Sequence, residues 1–262
     1  MIKNSSDLLI KKIAESLAME YSENITPLEK ILDDEEIELF YDSYGNSFDG
    51  MTIYDNDRFY IHINTYRGNR PDTNRARFTI GHELGHFFID NHRIGLKNGL
   101  LSPHFSINNV NETSKIEREA DFFASNLLMP EVKFKKAIGR EKFTFQLIKR
   151  LSQEFNTSIT ATAIRLSDIG NHPLMLVYCE NAKIIWKWNS DDFKYKYLLH
   201  GKAKIPEDTV VGEYFYKNKC YESTEDVWAI DWFEYVRKED YGKKIKEHCI
   251  VHKEKALSII WE

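Results

Sequence analysis

The spacing of hydrophobic and polar residues changes twice along the chain. From residue 6 to 22, apolar side chains recur at three- and four-residue intervals, which predicts a helix with Leu8 among its core-facing residues. Over residues 37–64 the interval falls to two, which predicts three strands. Helical intervals return at residue 78, and Pro130 ends the second of two long helical segments. The pattern therefore predicts helices on both sides of a small antiparallel sheet.

Two short helical segments after Pro130, residues 145–155 and 158–168, have the proportions of a helix-turn-helix pair. A helix that reads DNA carries basic or amide side chains at its start. Basic residues such as Lys133 precede the pair, but its second segment starts with small and apolar residues and has one basic residue, Arg165. The pattern favours packing or recognition of a protein partner over direct DNA binding.

Beyond residue 170 the alternation predicts mainly strands, with a hairpin formed by residues 245–251 and 256–261. This region shows no pattern of residues typical of catalysis, and its role is not predicted. The whole chain is predicted to have the α+β fold class. Three parts are expected, namely residues 1–130, a helical extension over residues 131–170, and a C-terminal α+β domain over residues 171–262.

Composition restricts the class of protein. Hydrophobic residues make up 42% and charged residues 29% of the chain, as in globular proteins, and no apolar run approaches the ~20 residues of a membrane span. Three widely spaced cysteines indicate reduced thiols, and the N-terminus lacks the apolar stretch of a signal peptide, so a cytoplasmic location is expected. The net charge of −5 argues against bulk affinity for nucleic acid.

The candidate chemistry lies in residues 79–88. His82 and His86 are four residues apart, and Glu83 directly follows the first histidine. On a helix the two imidazoles lie on one face, a turn apart, which suits two nitrogen ligands of one Zn²⁺ ion. Glu83 then lies where a carboxylate can accept a proton from water activated by the ion. The pattern alone leaves open a zinc hydrolase or a buried helix whose histidines bond to the backbone.

A third metal ligand would distinguish these possibilities, and there are two candidates. His92 stands ten residues after His82, where one class of zinc peptidase has its third histidine. That class needs a glycine where this chain has Ile89, a β-branched residue that disfavours the required turn. His92 is therefore predicted to be a loop histidine near the end of the helix, in a long loop over residues 91–113. The second candidate is Glu117, in a segment with helical periodicity.

Two acidic residues close to Glu117 have different predicted roles. Asp121 follows one turn later on the same flank of the predicted helix. There it can bond a metal-ligating imidazole, which fixes the tautomer of that histidine and raises its basicity. Glu119 points away from this flank and is predicted to be a solvated charge.

Two separated stretches, Phe78 to His86 and Glu117 to Pro130, resemble the ImmA/IrrE metallo-endopeptidases. The resemblance covers roughly residues 5–170. It implies a zinc-dependent intracellular protease, with Mn²⁺ open as the metal in the cell, that cuts a helix-turn-helix repressor and relieves repression in a stress or mobile-element response. It also implies metal-binding, catalytic and supporting residues, which are His82, His86 and Glu117 as ligands, Glu83 as the catalytic carboxylate, and Asp121 beside a liganding histidine.

The resemblance sharpens the expected architecture and mechanism. Residues 1–130 become a zincin-like metallopeptidase domain, in which the edge strand of the small sheet can pair with an extended peptide substrate. A second donor for the oxyanion is expected from one of four residues, Tyr54, Tyr60, Tyr66 and His92. The alternative function is a zinc-containing regulatory protein that binds a repressor or antitoxin without cleaving it.

Overall fold

The computed structural model describes residues 5–100, 115–170, 172–201 and 204–262. They form two compact units, each with its own hydrophobic core. The first unit comprises residues 1–139 and 150–161, and the second comprises residues 140–149 and 162–262. Helices and strands occur in both units, which confirms the predicted α+β class. Within the described ranges, no helix has the length and apolar character needed to cross a membrane.

The first unit builds a small sheet between helices. Its elements are α1 (Ser5–Met19), α2 (Leu28–Asp34), β1 (Glu38–Asp42), β2 (Gly50–Asp55), β3 (Arg58–Asn64), α3 (Asn74–Phe88), α4 (Asp90–Lys97), α5 (Lys115–Leu128) and α6 (Glu131–Ile138). Two further helices, α7 (Phe145–Glu154) and α8 (Ile159–Ile169), contribute residues to both units.

The small sheet is mixed, so the prediction of an antiparallel sheet is wrong for β1. β2 and β3 form the antiparallel hairpin through Asn56 and Asp57, whose φ values of 47° and 61° are those of a type I′ turn. β1 pairs in parallel with the other edge of β3, which gives the order β1-β3-β2. The connection between β1 and β2 is held at the end of β3, where the Asn64 amide donates to the carbonyls of Gly45 (2.8 Å) and Phe48 (2.6 Å).

The buried face of α1 differs from the predicted one. Ile10, Ala14 and Ala18 are buried, whereas Leu8 is 57% exposed. α1 is in contact with α5, and its buried alanines belong to the same hydrophobic core as Phe123 and Leu127 of α5. The prediction that Leu8 faces the core is therefore wrong.

Two basic residues near the predicted helix-turn-helix pair are buried. The Lys133 ammonium donates to the carbonyls of Ala18 (2.9 Å), Tyr21 (2.7 Å) and Glu23 (2.7 Å) and so binds the C-terminal end of α1 and the residues that follow it. Arg165 is 3% exposed. Neither side chain is placed to contact the phosphates of DNA.

α3 and α5 approach each other closely because small residues meet between them. A Cβ atom added to Gly85 would lie 3.1 Å from the Cα atom of Ala120. One turn earlier, a Cβ atom on Gly81 would lie 3.4 Å from the Cβ atom of Ala124. Larger residues would separate the helices, because backbone atoms of a buried helix cannot yield easily. This close approach sets the distance between polar side chains on the two helices.

The second unit is built on a sheet of order β5-β4-β8-β7-β6, with its neighbouring strands antiparallel in the described part of the chain. Its elements are β4 (Leu174–Glu180), β5 (Lys183–Asn189), α9 (Val210–Lys217), β6 (Glu225–Trp228), α10 (Ala229–Trp232), β7 (Lys244–His252) and β8 (Lys255–Trp261). The predicted C-terminal hairpin is confirmed as β7 and β8.

A buried carboxylate, that of Glu247, ties the sheet of the second unit to α9. One oxygen accepts from the Val210 backbone N–H (2.9 Å) and the Trp232 indole (2.7 Å). The other accepts from the Val211 N–H (3.1 Å) and the Ser258 hydroxyl (2.6 Å). Burial raises the pKa of Glu247, although these four hydrogen bonds oppose the shift. The carboxylate thus meets the N-terminal end of α9 and has a structural role.

Candidate metal centre

The centre of α3 carries the two histidines and the glutamate, as the sequence predicts. The helix begins after Thr73, whose hydroxyl accepts from the Ala76 N–H (3.2 Å). His82, Glu83 and His86 are all buried, with at most 3% of each residue exposed. The Nε2 atoms of the two histidines are 3.1 Å apart, so both imidazoles converge on one point.

α5 brings the carboxylate of Glu117 to the same point. One of its oxygens lies 3.2 Å from Nε2 of His82, and the other lies 3.5 Å from Nε2 of His86. Among the residues that the structure describes, these three form a group that could hold a metal ion. Ligand atoms bound tetrahedrally to zinc at about 2.0–2.1 Å lie about 3.3 Å from one another. The separation of the two Nε2 atoms (3.1 Å) and that of the nearer Glu117 oxygen from Nε2 of His82 (3.2 Å) fit this value.

The side chain of Glu83 extends from α3 to β2. One oxygen of its carboxylate accepts from the Thr52 hydroxyl at 2.7 Å. A Cβ atom on Gly50 would lie 2.6 Å from the other carboxylate oxygen, so the glycine leaves the space that Glu83 occupies. Neither contact is predicted from the sequence, since nothing in the local pattern links residues 50 and 52 to residue 83.

Asp121 bonds the far side of one histidine ring, where the sequence predicts it. Its carboxylate lies 2.8 Å from Nδ1 of His82. An acceptor at Nδ1 leaves Nε2 to face the other members of the group. Burial lowers the pKa of His82, but the hydrogen bonds that its ring donates to Asp121 and Glu117 outweigh the effect of burial and raise the pKa to about 10. The site therefore favours a positive charge at this position.

Metal binding is expected to release a proton from His82. At about pH 7.5 the metal-free imidazole keeps its proton, because its pKa of about 10 lies higher, whereas a metal-ligating imidazole has to be neutral. Calorimetric titration of Zn²⁺ in buffers of different ionisation enthalpy should give about one more released proton at pH 7.5 than well above pH ~10, since water on the ion would contribute its own proton at both. Asp121→Asn removes one cause of the raised pKa and should reduce the release. Equal heats in all buffers at pH 7.5 would contradict the raised pKa.

Two residues beside the histidines are placed differently from the prediction. His92 is not in a loop but in α4, and it is 2% exposed. Glu119 is not solvated, because it bonds Nε2 of His92 (3.1 Å) and accepts from the Ser6 hydroxyl (3.0 Å). α4 follows α3 after one extended residue, Ile89, so residues 91–97 of the predicted loop are helical instead. Residues 101–113 of that predicted loop lie outside the described residues.

The four candidates for the second oxyanion donor differ in their contacts and exposure. The Tyr54 hydroxyl donates to Asp57 (2.8 Å), the Tyr60 ring is centred 6.3 Å from that of Phe40, and Tyr66 is 61% exposed. The ring of His92 is centred 5.2 Å from that of His86. Among these four candidates, His92 is the one for which the structure shows a contact with a residue of the His82–His86–Glu117 group.

Two comparisons with known proteins give similarities, one in sequence and one in fold. A family model for Peptidase M78, described as the IrrE N-terminal-like domain, matches residues 33–167 and so spans both α3 and α5. A solved chain described as a Mycobacterium tuberculosis transcriptional regulator has a TM-score of 0.59 and 14% sequence identity, over 97% of this chain and 76% of that chain. At that identity the likeness concerns the fold alone. No curated protein matches the sequence.

Proposed function

Because the chain belongs to the M78 peptidase family of IrrE N-terminal-like proteins, we propose that it is a metal-dependent endopeptidase that hydrolyses peptide bonds of a protein substrate. One observation carries the proposal, namely the convergence of His82, His86 and Glu117 from two helices at separations of 3.1–3.5 Å. A buried carboxylate, Glu83, directly follows the first of these ligands on α3.

The three residues would hold one divalent ion. Two imidazoles and one carboxylate suit Zn²⁺, and three protein ligands are the usual set of a catalytic rather than a structural zinc site. Mn²⁺ is the alternative metal in the cell. When bound, the ion supplies Lewis acidity, which polarises a carbonyl group and lowers the pKa of water toward ~7.

The residues of the chain then have separate roles in the proposed reaction. Glu83 accepts a proton from the attacking water and passes it to the nitrogen of the leaving amine. Asp121 accepts the Nδ1–H of His82 (2.8 Å) and thereby orients the ring so that Nε2, once its proton has been released, would face the metal. The small residues between α3 and α5 hold Glu117 at ligand distance.

The substrate is proposed to bind as an extended strand along β2. Among the described strands β2 pairs with β3 alone, so no other described strand is paired with its second edge. Backbone groups at an open strand edge can bond an added peptide. β2 also carries Thr52, which bonds Glu83, so a peptide added there would pass close to the proposed general base.

The proposed substrate is a helix-turn-helix transcriptional repressor in the cytoplasm, cut in a stress or mobile-element response. Its support is the family resemblance of the two metal-binding segments, together with the likeness in fold to a protein described as a transcriptional regulator.

This function can be tested with purified proteins. The zinc-loaded chain is incubated with the helix-turn-helix regulators encoded beside it, and the products are read by mass spectrometry. We expect new internal termini on one regulator, and none when a chelator is present. A stable complex without new termini, with Zn²⁺ and with Mn²⁺, would contradict the proposal. It would favour the alternative of a non-cleaving regulatory protein that binds its partner.

A further inference from the structure

The side chain of Thr52 is held firmly beside Glu83. Thr52 is 2% exposed and lies within β2, where it is opposite Ile61 of β3. Its hydroxyl oxygen lies 2.7 Å from a carboxylate oxygen of Glu83 and 3.2 Å from the backbone carbonyl of the same residue. A hydroxyl has one proton to donate, and the shorter distance to a charged acceptor is the stronger bond. A β-branched side chain is also stiff at its first torsion. Thr52 is therefore a rigid donor.

Two residues of β2 restrict the orientation of the Glu83 carboxylate, one at each of its oxygens. Gly50 stands two residues before Thr52 and so faces the same side of β2. A Cβ atom at residue 50 would lie 2.6 Å from the Glu83 oxygen that Thr52 does not bond, and 2.5 Å from the Thr79 methyl group. One oxygen is thus fixed by the Thr52 hydroxyl, and the other occupies the space left by the absent side chain of Gly50. Such a pair of contacts defines the orientation of a side chain that is otherwise flexible.

A general base depends on orientation, because proton transfer needs the acceptor within hydrogen-bond distance of the proton. The bond to Thr52 fixes one oxygen at 2.7 Å and with it the orientation of the whole carboxylate. We propose that Thr52 is a positioning residue for Glu83, which fixes the orientation of the carboxylate for proton transfer during peptide hydrolysis. This inference rests on the proposed function of the same site. It adds a residue of β2 to a mechanism otherwise built from α3 and α5.

The test compares two substitutions of Thr52 in the full-length, zinc-loaded protein. Thr52→Val keeps the shape and removes the hydroxyl, whereas Thr52→Ser keeps the hydroxyl. We expect Thr52→Val to lower kcat by about 10–100-fold, as for lost supporting hydrogen bonds in metal sites, with KM and zinc affinity unchanged. Thr52→Ser should restore most of kcat. An unchanged kcat in Thr52→Val, or an equal loss in both variants, would overturn the positioning role.

A matched control separates positioning from packing. Thr79 is also a buried threonine of this region, but its hydroxyl donates to Asn69 (3.0 Å) and not to Glu83. Thr79→Val should lower the unfolding temperature about as much as Thr52→Val does and leave kcat unchanged. A parallel loss of kcat in Thr79→Val would show that any lost hydroxyl here affects activity, which would overturn the specific role of Thr52.

A second readout needs neither metal nor substrate. In the metal-free protein, urea unfolding midpoints are measured for Thr52→Val, Glu83→Ala and the double variant. If the two side chains bond each other, the shift of the double variant is smaller than the sum of the single shifts. If the shifts are additive, the two side chains do not interact, and the inference loses the hydrogen bond on which it depends. Absence of cleavage by the wild-type protein would overturn the proposed function, and the positioning role with it. Equal cleavage by wild type and Thr52→Val would overturn the positioning role alone.

Discussion

Replacing Glu83 with glutamine is expected to abolish measurable peptide cleavage while zinc binding persists. Glutamine has nearly the same shape, and its amide oxygen can still accept from the Thr52 hydroxyl, which now bonds the carboxylate at 2.7 Å. It cannot accept a proton at neutral pH, so the general-base contribution of about 10²–10⁴-fold in rate is lost. The loss should appear in kcat, measured on the cleaved regulator, with zinc content measured on the same sample.

The design of this variant makes the outcome easy to interpret. Because Glu83 is not in the group of His82, His86 and Glu117, its substitution leaves all three proposed ligands in place. A variant that retains zinc and loses cleavage identifies Glu83 as the group that moves the proton. A variant as active as the wild type would remove Glu83 from the mechanism, and loss of zinc together with activity would make it a support of the metal site instead.

Glu117→Ala is expected to weaken zinc binding by more than about 100-fold, which exceeds the roughly 10–100-fold typical of losing an outer hydrogen bond. The variant removes the carboxylate that, among the residues the structure describes, approaches both histidine nitrogens, at 3.2 and 3.5 Å. Competition with a chromophoric chelator measures the affinity.

His92→Ala is the matched control for Glu117→Ala. His92 is also buried, and its ring is centred 5.2 Å from that of His86, but it is not a member of the converging group. We expect its loss to leave zinc affinity within about tenfold of the wild type, below the loss of a ligand. A large effect of His92→Ala and a small effect of Glu117→Ala would reverse the assignment and favour a third histidine as the ligand.

The sequence predicted the centre of the site because the relevant spacings are local. Residues four apart on a helix share a face whatever the rest of the fold does. This places His82 beside His86, and Asp121 beside Glu117, once both segments are helical. The meeting of the two helices is not local, and its prediction came from the resemblance to a known family. The structure supplies its physical basis in the close approach of Gly85 to Ala120.

The core-facing residues of α1 were predicted from hydrophobicity alone, and the prediction was wrong for Leu8. A leucine is more apolar than an alanine, which favours Leu8 as a core residue. The structure buries Ala14 and Ala18 instead, in the core that α1 shares with α5. Such a preference depends on the partner helix, which the pattern of one segment does not reveal.

Polar side chains with distant partners were the least predictable part of the fold. Glu119 looked solvated because it lies on a different flank from Asp121, yet α4 supplies His92 and α1 supplies Ser6 to bond it. α4 itself was missed because polar residues dominate its sequence. Asn64 likewise holds the connection from β1 to β2 through hydrogen bonds to Phe48 and Gly45, which precede it by 16 and 19 residues. These bonds also support the parallel pairing of β1.

The most direct test of the metal centre is an anomalous difference map from zinc-loaded crystals, with data collected on both sides of the zinc absorption edge. One peak is expected about 2.0–2.2 Å from Nε2 of His82, Nε2 of His86 and a carboxylate oxygen of Glu117. A peak elsewhere in the chain, or one bound by the histidines with the Glu117 carboxylate turned away, would contradict the proposed centre.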